Sequence, residues 1–415
     1  MSGSGLAGDS RAEWKAHWPV VLAACSGVAA STINTYSTGV FMQPLQEEFG
    51  WSRAGIVSGS TMAGVATILL APFCGALVDR VGPRRIGIVG VTLSCGLTAL
   101  LSTVGPSLLS WQGVWLCLAL INVMILPNVW TAAVSSVFAA GRGLALAITL
   151  CGSGISSIIT PILAVHLIDM LGWRHAYIAL AGLCGLLVLP LLFMCFRSAR
   201  DTPTYTRATT QRQSADLADA RTILISRHFL QLALATILIA SVIVPIGTML
   251  VPILSSRGLE RGTAAGIAAL MGIASISGRL LIGHLLDRVN ARLIAAVAVC
   301  LPIIACLLLI SFPGAPIAAT LAVLCAGLAL GAELDIVAYL ASRYFSLERF
   351  GLAFGTLAGI VTLGGMGLGP LALSTIFDQM HSYVPALWAG VPMCMASSIL
   401  FWRLGPYPEE EGLKG

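Results

Sequence analysis

Apolar residues run through this chain in long blocks, without the alternation of a half-buried strand or the narrow stripe of a soluble amphipathic helix. Blocks long enough to cross a hydrocarbon layer fall at about 18–42, 53–78, 86–106, 111–138, 143–169, 174–196, 229–255, 263–286, 292–312, 315–343, 350–376 and 384–404. Each is close to the ~20 residues that a membrane helix requires. The pattern predicts an all-α membrane protein with twelve transmembrane helices, and it excludes an outer-membrane barrel, whose strands are short and alternate polar with apolar. The polar gaps divide the chain into a tail at 1–17, a six-helix bundle at 18–196, a linker at 197–228, a second six-helix bundle at 229–404 and a tail at 405–415. The linker is rich in Arg, Thr, Gln and Asp and cannot bury itself, apart from a short amphipathic helix expected near 215–225.

Composition agrees with the blocks. Hydrophobic residues make up 57% of the chain and charged ones 10%, far below the roughly quarter-charged make-up of a soluble domain. The few basic residues then set the orientation, because Lys and Arg collect on the cytoplasmic side. With the N-terminus inside, only Arg53, Arg174, Arg257 and Arg261 fall outside, Arg279 falls within a block, and every other Lys and Arg is cytoplasmic. Both termini are therefore expected in the cytoplasm, in a multi-pass protein of a bacterial cytoplasmic (inner) membrane that acts as a monomer. The net charge of +5 is this asymmetry and gives no reason to expect nucleic-acid binding. The eleven cysteines are scattered singly through apolar blocks, which suits small core hydrophobes and implies no metal or cofactor. The polar first sixteen residues, and the long block after them without a small-residue cleavage site, do not predict a removed signal peptide.

The two halves repeat. Gly39 and Gly247, Pro44 and Pro252, Arg53 and Arg261, Gly75 and Gly283, Asp79 and Asp287, and Arg80 and Arg288 all share one spacing. After a small slip, Phe138-x-x-x-Arg142 returns as Phe345-x-x-x-Arg349, and Pro161 as Pro370. Glycines and loop charges recur in any membrane protein, but six pairs in one register, Asp-Arg dipeptides among them, point to duplication. Six-span repeats in the same orientation are a transporter architecture, with the substrate site near the midplane between them.

The segment Gly75 to Arg85, with Asp79, Arg80, Gly82, Arg84 and Arg85, resembles the signature loop between spans 2 and 3 of the major facilitator superfamily, and Gly283 to Arg292 is its degenerate second copy. The resemblance covers about residues 18–404. Gly39 to Arg53, with Pro44, Glu48, Gly50 and Trp51, is similar to the monocarboxylate porter and oxalate:formate antiporter branch, as is Gly172-Trp173-Arg174. The resemblance implies two pseudo-symmetric six-helix bundles that transport by alternating access. Asp79, Arg80, Arg84, Asp287 and Arg288, with Arg142 and Arg349, would serve conformational gating, since this signature accompanies any cargo. In the similar branch an arginine on span 8 holds the substrate carboxylate, the position of Arg279 here. The aspartate that often precedes it by one turn is replaced by Ser275, so an accompanying acid has to come from elsewhere.

The residues themselves support a site. Arg279 lies eight residues before Asp287, about 12 Å along a helix and well inside a ~30 Å hydrocarbon layer. A charge at that depth needs a partner or a watery cavity. A guanidinium stays charged and presents a planar fork that matches a carboxylate. Its repeat-mate is Ala71, so the charge belongs to one half only, as a recognition residue would. The competing reading is a structural ion pair with span 10, where Glu333 and Asp335 are the other deep acids. Two carboxylates around one arginine leave an excess negative charge, so one would hold a proton, as proton coupling requires. Residues 333 and 335 stand about 200° apart on a helix, so one faces the cavity and the other packs sideways. Asn128 occupies the repeat position of Asp335, which favours Asp335 as the cavity residue, with Glu333 bonding within its own half.

Span 1 adds a polar stripe, Ser31, Asn34, Thr35 and Thr38, with Tyr36 on another face. Hydroxyls and amides suit an oxygen-rich solute, although in membrane helices they often bond their own backbone. Ser31, Asn34, Thr35, Tyr36 and Asn128 are thus candidate substrate contacts beside Arg279. Glycines in spans 5 and 11, such as Gly152, Gly364, Gly365 and Gly369, suit close packing and sliding of the halves. His166 and His284 sit near span ends and need no role. Without a catalytic triad, nucleotide loop or metal cluster, the chain is not expected to be an enzyme. The leading expectation is a secondary transporter of a small organic anion, monocarboxylate-like and proton-coupled, whose partners are that solute, protons and the bilayer. The alternative is a carrier of a larger neutral, aromatic or cationic solute, for vitamin uptake or drug efflux, with Arg279 in a structural ion pair.

Overall fold

A computed structural model describes residues 3–138, 141–197, 224–286, 290–345 and 347–405, and every regular element among them is helical. The helices are α1 (Gly3–Phe49), α2 (Arg53–Val81), α3 (Pro83–Leu100), α4 (Leu108–Asn122), α5 (Pro127–Val137), α6 (Arg142–Cys195), α7 (Arg227–Thr248), α8 (Leu250–Ser256), α9 (Arg261–Leu286), α10 (Ala291–Ala298), α11 (Cys300–Ser311), α12 (Pro316–Tyr344), α13 (Leu347–Val361), α14 (Gly369–Met380) and α15 (Val384–Trp402). A π-helical stretch, Thr362–Leu368, joins α13 to α14. Several crossings are built from two consecutive pieces, as with α4 and α5, or α10 and α11.

Among the described residues ten helices are long and apolar enough to cross a membrane. One of them, α6, has 54 residues and would extend about 80 Å, far more than one bilayer crossing. It breaks at Gly172, whose φ of 75° and ψ of 159° are non-helical, and so supplies two crossings. With the 29-residue α2, the spans reach the twelve expected from the apolar blocks. Asp287 and Arg288, and most of the 197–228 linker and the C-terminal tail, lie outside the described residues.

The chain forms two compact units, Met1–Trp51 with Ser58–Thr209, and Ser52–Val57 with Thr210–Gly415. In the first, α1 packs chiefly on α6, and α3 packs on both α4 and α6. Trp130 is fully buried at their centre with Val28, Val91, Leu192 and Phe196. Its indole N–H donates to the Ile125 carbonyl at 2.9 Å, which satisfies the one polar atom that this large apolar side chain carries inside. Gly152 meets the backbone of α1 at Cys25, so that span-5 glycine serves packing within this unit.

The break in α6 is fastened to the end of α1. Glu48 accepts hydrogen bonds from the indole of Trp173 and the guanidinium of Arg174, each at 2.5 Å. The Arg174 guanidinium also lies 4.3 Å from the centroid of the Trp173 ring, and Phe49 stacks on Trp51 while meeting Trp173 edge-on. The motif residues around positions 48 and 173 thus form one bracket that fixes where the chain turns back.

In the second unit α9 packs most extensively on α12, and α7 packs on α15 and the π-helical stretch. Gly364 and Gly365 rest on Ile237, Ser241 and Val244 of α7, again within one unit. Residues 52–57 belong to this unit, and in it the Asp378 carboxylate accepts from the N–H groups of Arg53 and Ala54 at 2.9 and 2.7 Å. This is a side-chain cap on the otherwise unsatisfied first turn of α2. The Arg53 guanidinium also donates to the Tyr383 hydroxyl and lies over the Phe377 ring. Arg257 donates to the carbonyls of Leu309 and Ile310, closing the end of α11.

Nothing lies within 4 Å of where a Gly172 side chain would project, so substitution there tests backbone conformation alone. Gly172→Ala is expected to cost about 1–3 kcal/mol, because its φ/ψ region is open essentially to glycine only. A lowered unfolding midpoint in detergent is the expected result; an unchanged midpoint would contradict it.

Candidate functional site

The second unit's central contact is the crossing of α9 and α12, and its closeness follows from three glycines. A side chain at Gly331 would overlap the carbonyl oxygen of Ser275, one at Gly278 would overlap that of Leu328, and one at Gly327 would come within 2.7 Å of the Met271 carbonyl oxygen. Residues four apart share a helix face, so Met271, Ser275 and Arg279 form one row on α9. Gly327, Gly331 and Asp335 form the facing row on α12. The rows meet backbone to backbone at Ser275 and Gly331, and one turn further the side chains of Arg279 and Asp335 face each other.

There Arg279 Nε lies 3.5 Å from Asp335 Oδ2. The side chains keep 16% and 31% of their accessible surface respectively. The pair is therefore shielded without being sealed, and the acid is its more open member. A guanidinium has five N–H donors, so contact through Nε leaves others to meet a further acceptor.

Glu333 takes no part in this pair. It is 5% exposed, and its Oε1 has no hydrogen-bond partner. The half-turn between positions 333 and 335 places one acid with the arginine and the other in the helix-packed interior. The sideways-packing acid expected on span 10 is therefore Glu333, and the reading in which Arg279 pairs with Glu333 is replaced by a pair with Asp335.

The span-1 candidates divide in the same way. Asn34 is 6% exposed and points into the first unit, where its Nδ2 donates to Thr98 Oγ1 at 2.9 Å. It lines a small cavity with Ser94, Cys95, Thr98, Ala181 and Cys184. Ser31 donates to the Val28 carbonyl and Thr38 to the Asn34 carbonyl, so both bond their own helix. Thr35 and Tyr36 are half-buried, and Asn128 is exposed at the start of α5. Ser94 also donates to Asn122 Oδ1 at 3.4 Å. The polar positions 94 and 98 on α3, one turn apart, were the sequence signal for this interior network.

Of the gating candidates, Arg84 donates to the Phe193 carbonyl at 2.9 Å within the first unit. Arg80 and Arg142 are exposed, Asp79 lies in the last turns of α2, and Arg349 in the first turn of α13. The N–H of Gly141, just before Arg142, donates to Glu13 of α1. The glycines at 278, 327 and 331 were not singled out from the sequence, although the small-residue spacing of four on α12, ending at Asp335, is the pattern by which membrane helices approach closely.

Residues 24–366 match the family model of the Major Facilitator Superfamily. The chain is 23% identical over 299 residues to monocarboxylate transporter 12 of Mus musculus, with 65% of this chain and 60% of that protein covered. It thus spans about three-fifths of the length of that relative. It is 26% identical over 392 residues to a gallate transporter of Pseudomonas putida, covering 81% of this chain and 83% of that one. Among solved structures it shares the fold of the nucleoside transporter NupG, with a TM-score of 0.73 at 13% identity over 93% of this chain and 98% of that one. With spans, helical architecture and family model in agreement, the chain belongs to the major facilitator superfamily of membrane transporters.

Proposed function

We propose that this transporter moves a small organic anion bearing a carboxylate together with a proton, by alternating access, and that Arg279 and Asp335 are the groups that couple the two. The observation that carries the reading is the ion pair itself, a charged arginine deep in an apolar span facing a carboxylate that stays partly open. An arriving carboxylate competes with Asp335 for the guanidinium. Two anions then share one cation, and the excess charge in a poorly polarisable surrounding favours protonation of one carboxylate. Asp335 takes that proton, the substrate holds Arg279, and the loaded site carries the same net charge as the empty one. When substrate leaves, Asp335 loses its proton and closes again on Arg279. One proton accompanies each monocarboxylate.

Similarity to proteins named for monocarboxylates and for gallate, itself an aromatic carboxylate, supports the same solute class. The chain is proposed to lie in a bacterial cytoplasmic membrane with both termini inside, from the distribution of its Lys and Arg. Thr35, Tyr36 and Asn128 remain proposed as secondary solute contacts. Asn34 and Ser31 already have partners inside the first unit.

Purified protein in proteoliposomes is expected to accumulate at least one of radiolabelled pyruvate, lactate, benzoate or gallate when the outside is made acidic, and to ignore the corresponding methyl ester. Equal uptake of acid and ester, or uptake indifferent to the pH gradient, would remove the reading. Arg279→Lys loses the planar fork and is expected to lower uptake about tenfold or more, the value of a charge-assisted hydrogen bond. Asp335→Asn is expected to abolish stimulation by the pH gradient while preserving exchange of labelled for unlabelled substrate. Intact gradient stimulation in that variant would show that the proton travels elsewhere.

A further inference from the structure

Arg279 and Asp335 stand on different helices, so their separation follows the spacing of α9 and α12. That spacing is set one turn away, where Gly331 meets the Ser275 carbonyl oxygen. Both surfaces there are backbone, and no side chain can swing aside to admit an added methyl. Relief requires the helices to part by about 1–1.5 Å before carbon and oxygen reach ordinary contact. The same movement would stretch the 3.5 Å contact between Arg279 and Asp335 to about 5 Å, beyond hydrogen-bond reach.

We propose that Gly331 is the positioning residue of this site: its missing side chain lets α12 press on the Ser275 carbonyl, and that contact brings Asp335 opposite Arg279. Gly278 supports it from α9, through its contact with the Leu328 carbonyl. The acid that answers Arg279 is thereby supplied across a helix interface, and Ser275, one turn before Arg279 on α9, is the place from which an acid could serve without crossing. The inference rests on the proposed proton coupling for its transport consequence, and on the structure alone for its effect on the ion pair.

Two measurements test it on the full-length protein. In proteoliposomes with radiolabelled benzoate and pyruvate, Gly331→Ala is expected to reproduce Asp335→Asn: gradient stimulation falls about tenfold or more while exchange persists. Adding Ser275→Asp to Gly331→Ala places an acid four residues before Arg279 on the same helix, and is expected to restore at least half of the stimulation, a rescue that a merely damaged interface would not show. Gly266→Ala, on α9 with nothing within 4 Å of its side-chain direction, serves as control and behaves as wild type. Full gradient stimulation in Gly331→Ala, or no rescue by Ser275→Asp, overturns the proposal. If Gly331→Ala does not fold, Gly278→Ala with and without Ser275→Asp decides in the same way, lowered stimulation with rescue supporting it and full stimulation or no rescue overturning it. If wild-type protein shows no gradient-driven uptake, the transport reading fails, and the second measurement still judges the positioning. In detergent without substrate, Asp335→Asn should lower the unfolding temperature of Gly331→Ala or Gly278→Ala protein by less than half of what it does in wild type. Equal shifts in all backgrounds would show that the glycines do not hold the pair.

Discussion

A guanidinium inside an apolar helix is the constraint around which the second unit is arranged. Lipid offers Arg279 neither water nor counter-ion, so its charge has to be met by protein. Among the described residues the chain meets it with one carboxylate, Asp335, which can reach it only while α9 and α12 stand close. Large side chains at the crossing would hold the helices too far apart for this contact. Glycines at 278, 327 and 331 remove that obstacle, and the backbone-to-backbone packing they permit replaces the hydrophobic drive that helices lack inside a membrane. Charge and packing are therefore one feature, since the ion pair explains why the crossing must be close and the crossing explains why the ion pair can form.

The first unit solves a different problem, the placement of a turn. Helix α6 has to reverse between two crossings, and Gly172 supplies a backbone conformation that other residues resist. A glycine break alone would leave the angle loose. Glu48, carried in from α1, holds both residues that follow the break, Trp173 by its indole and Arg174 by its guanidinium. The two motifs that mark the similarity to the monocarboxylate porter branch are thus halves of one bracket, which accounts for their occurrence together without assigning either to the solute.

The twelve spans were legible because block length is a one-dimensional property. A run of about 20 apolar residues crosses a bilayer whatever lies beside it. Rotation about the helix axis is another matter. In a span that is apolar all round, the sequence offers little to distinguish the face toward lipid from the face toward another helix. Asn34 could be read as lining a solute path, yet it turns inward to Thr98. Positions 333 and 335 could be separated into two faces, but which face met Arg279 depended on Gly331 and Ser275, whose partnership is a property of the crossing. The repeat-mate Asn128 points to the face of Asp335, and the small-residue row leading to Asp335 carries the same signal on its own helix.

The separation of the two acids has a mechanistic consequence. Glu333 is enclosed, with an unpartnered oxygen and no cation beside it among the described residues, so an anion arriving at Arg279 does not change its immediate partners. Asp335 is the acid whose partner the anion would take. The proposed coupling needs a group whose proton affinity differs between the empty and the loaded site, and a carboxylate that shares its cation with the cargo would meet that condition. Because the cation sits on α9 and the carboxylate on α12, loading in that scheme would also remove an attraction between two helices. Under the proposed coupling, proton uptake, cargo binding and the cohesion of one helix crossing would be linked through a single contact.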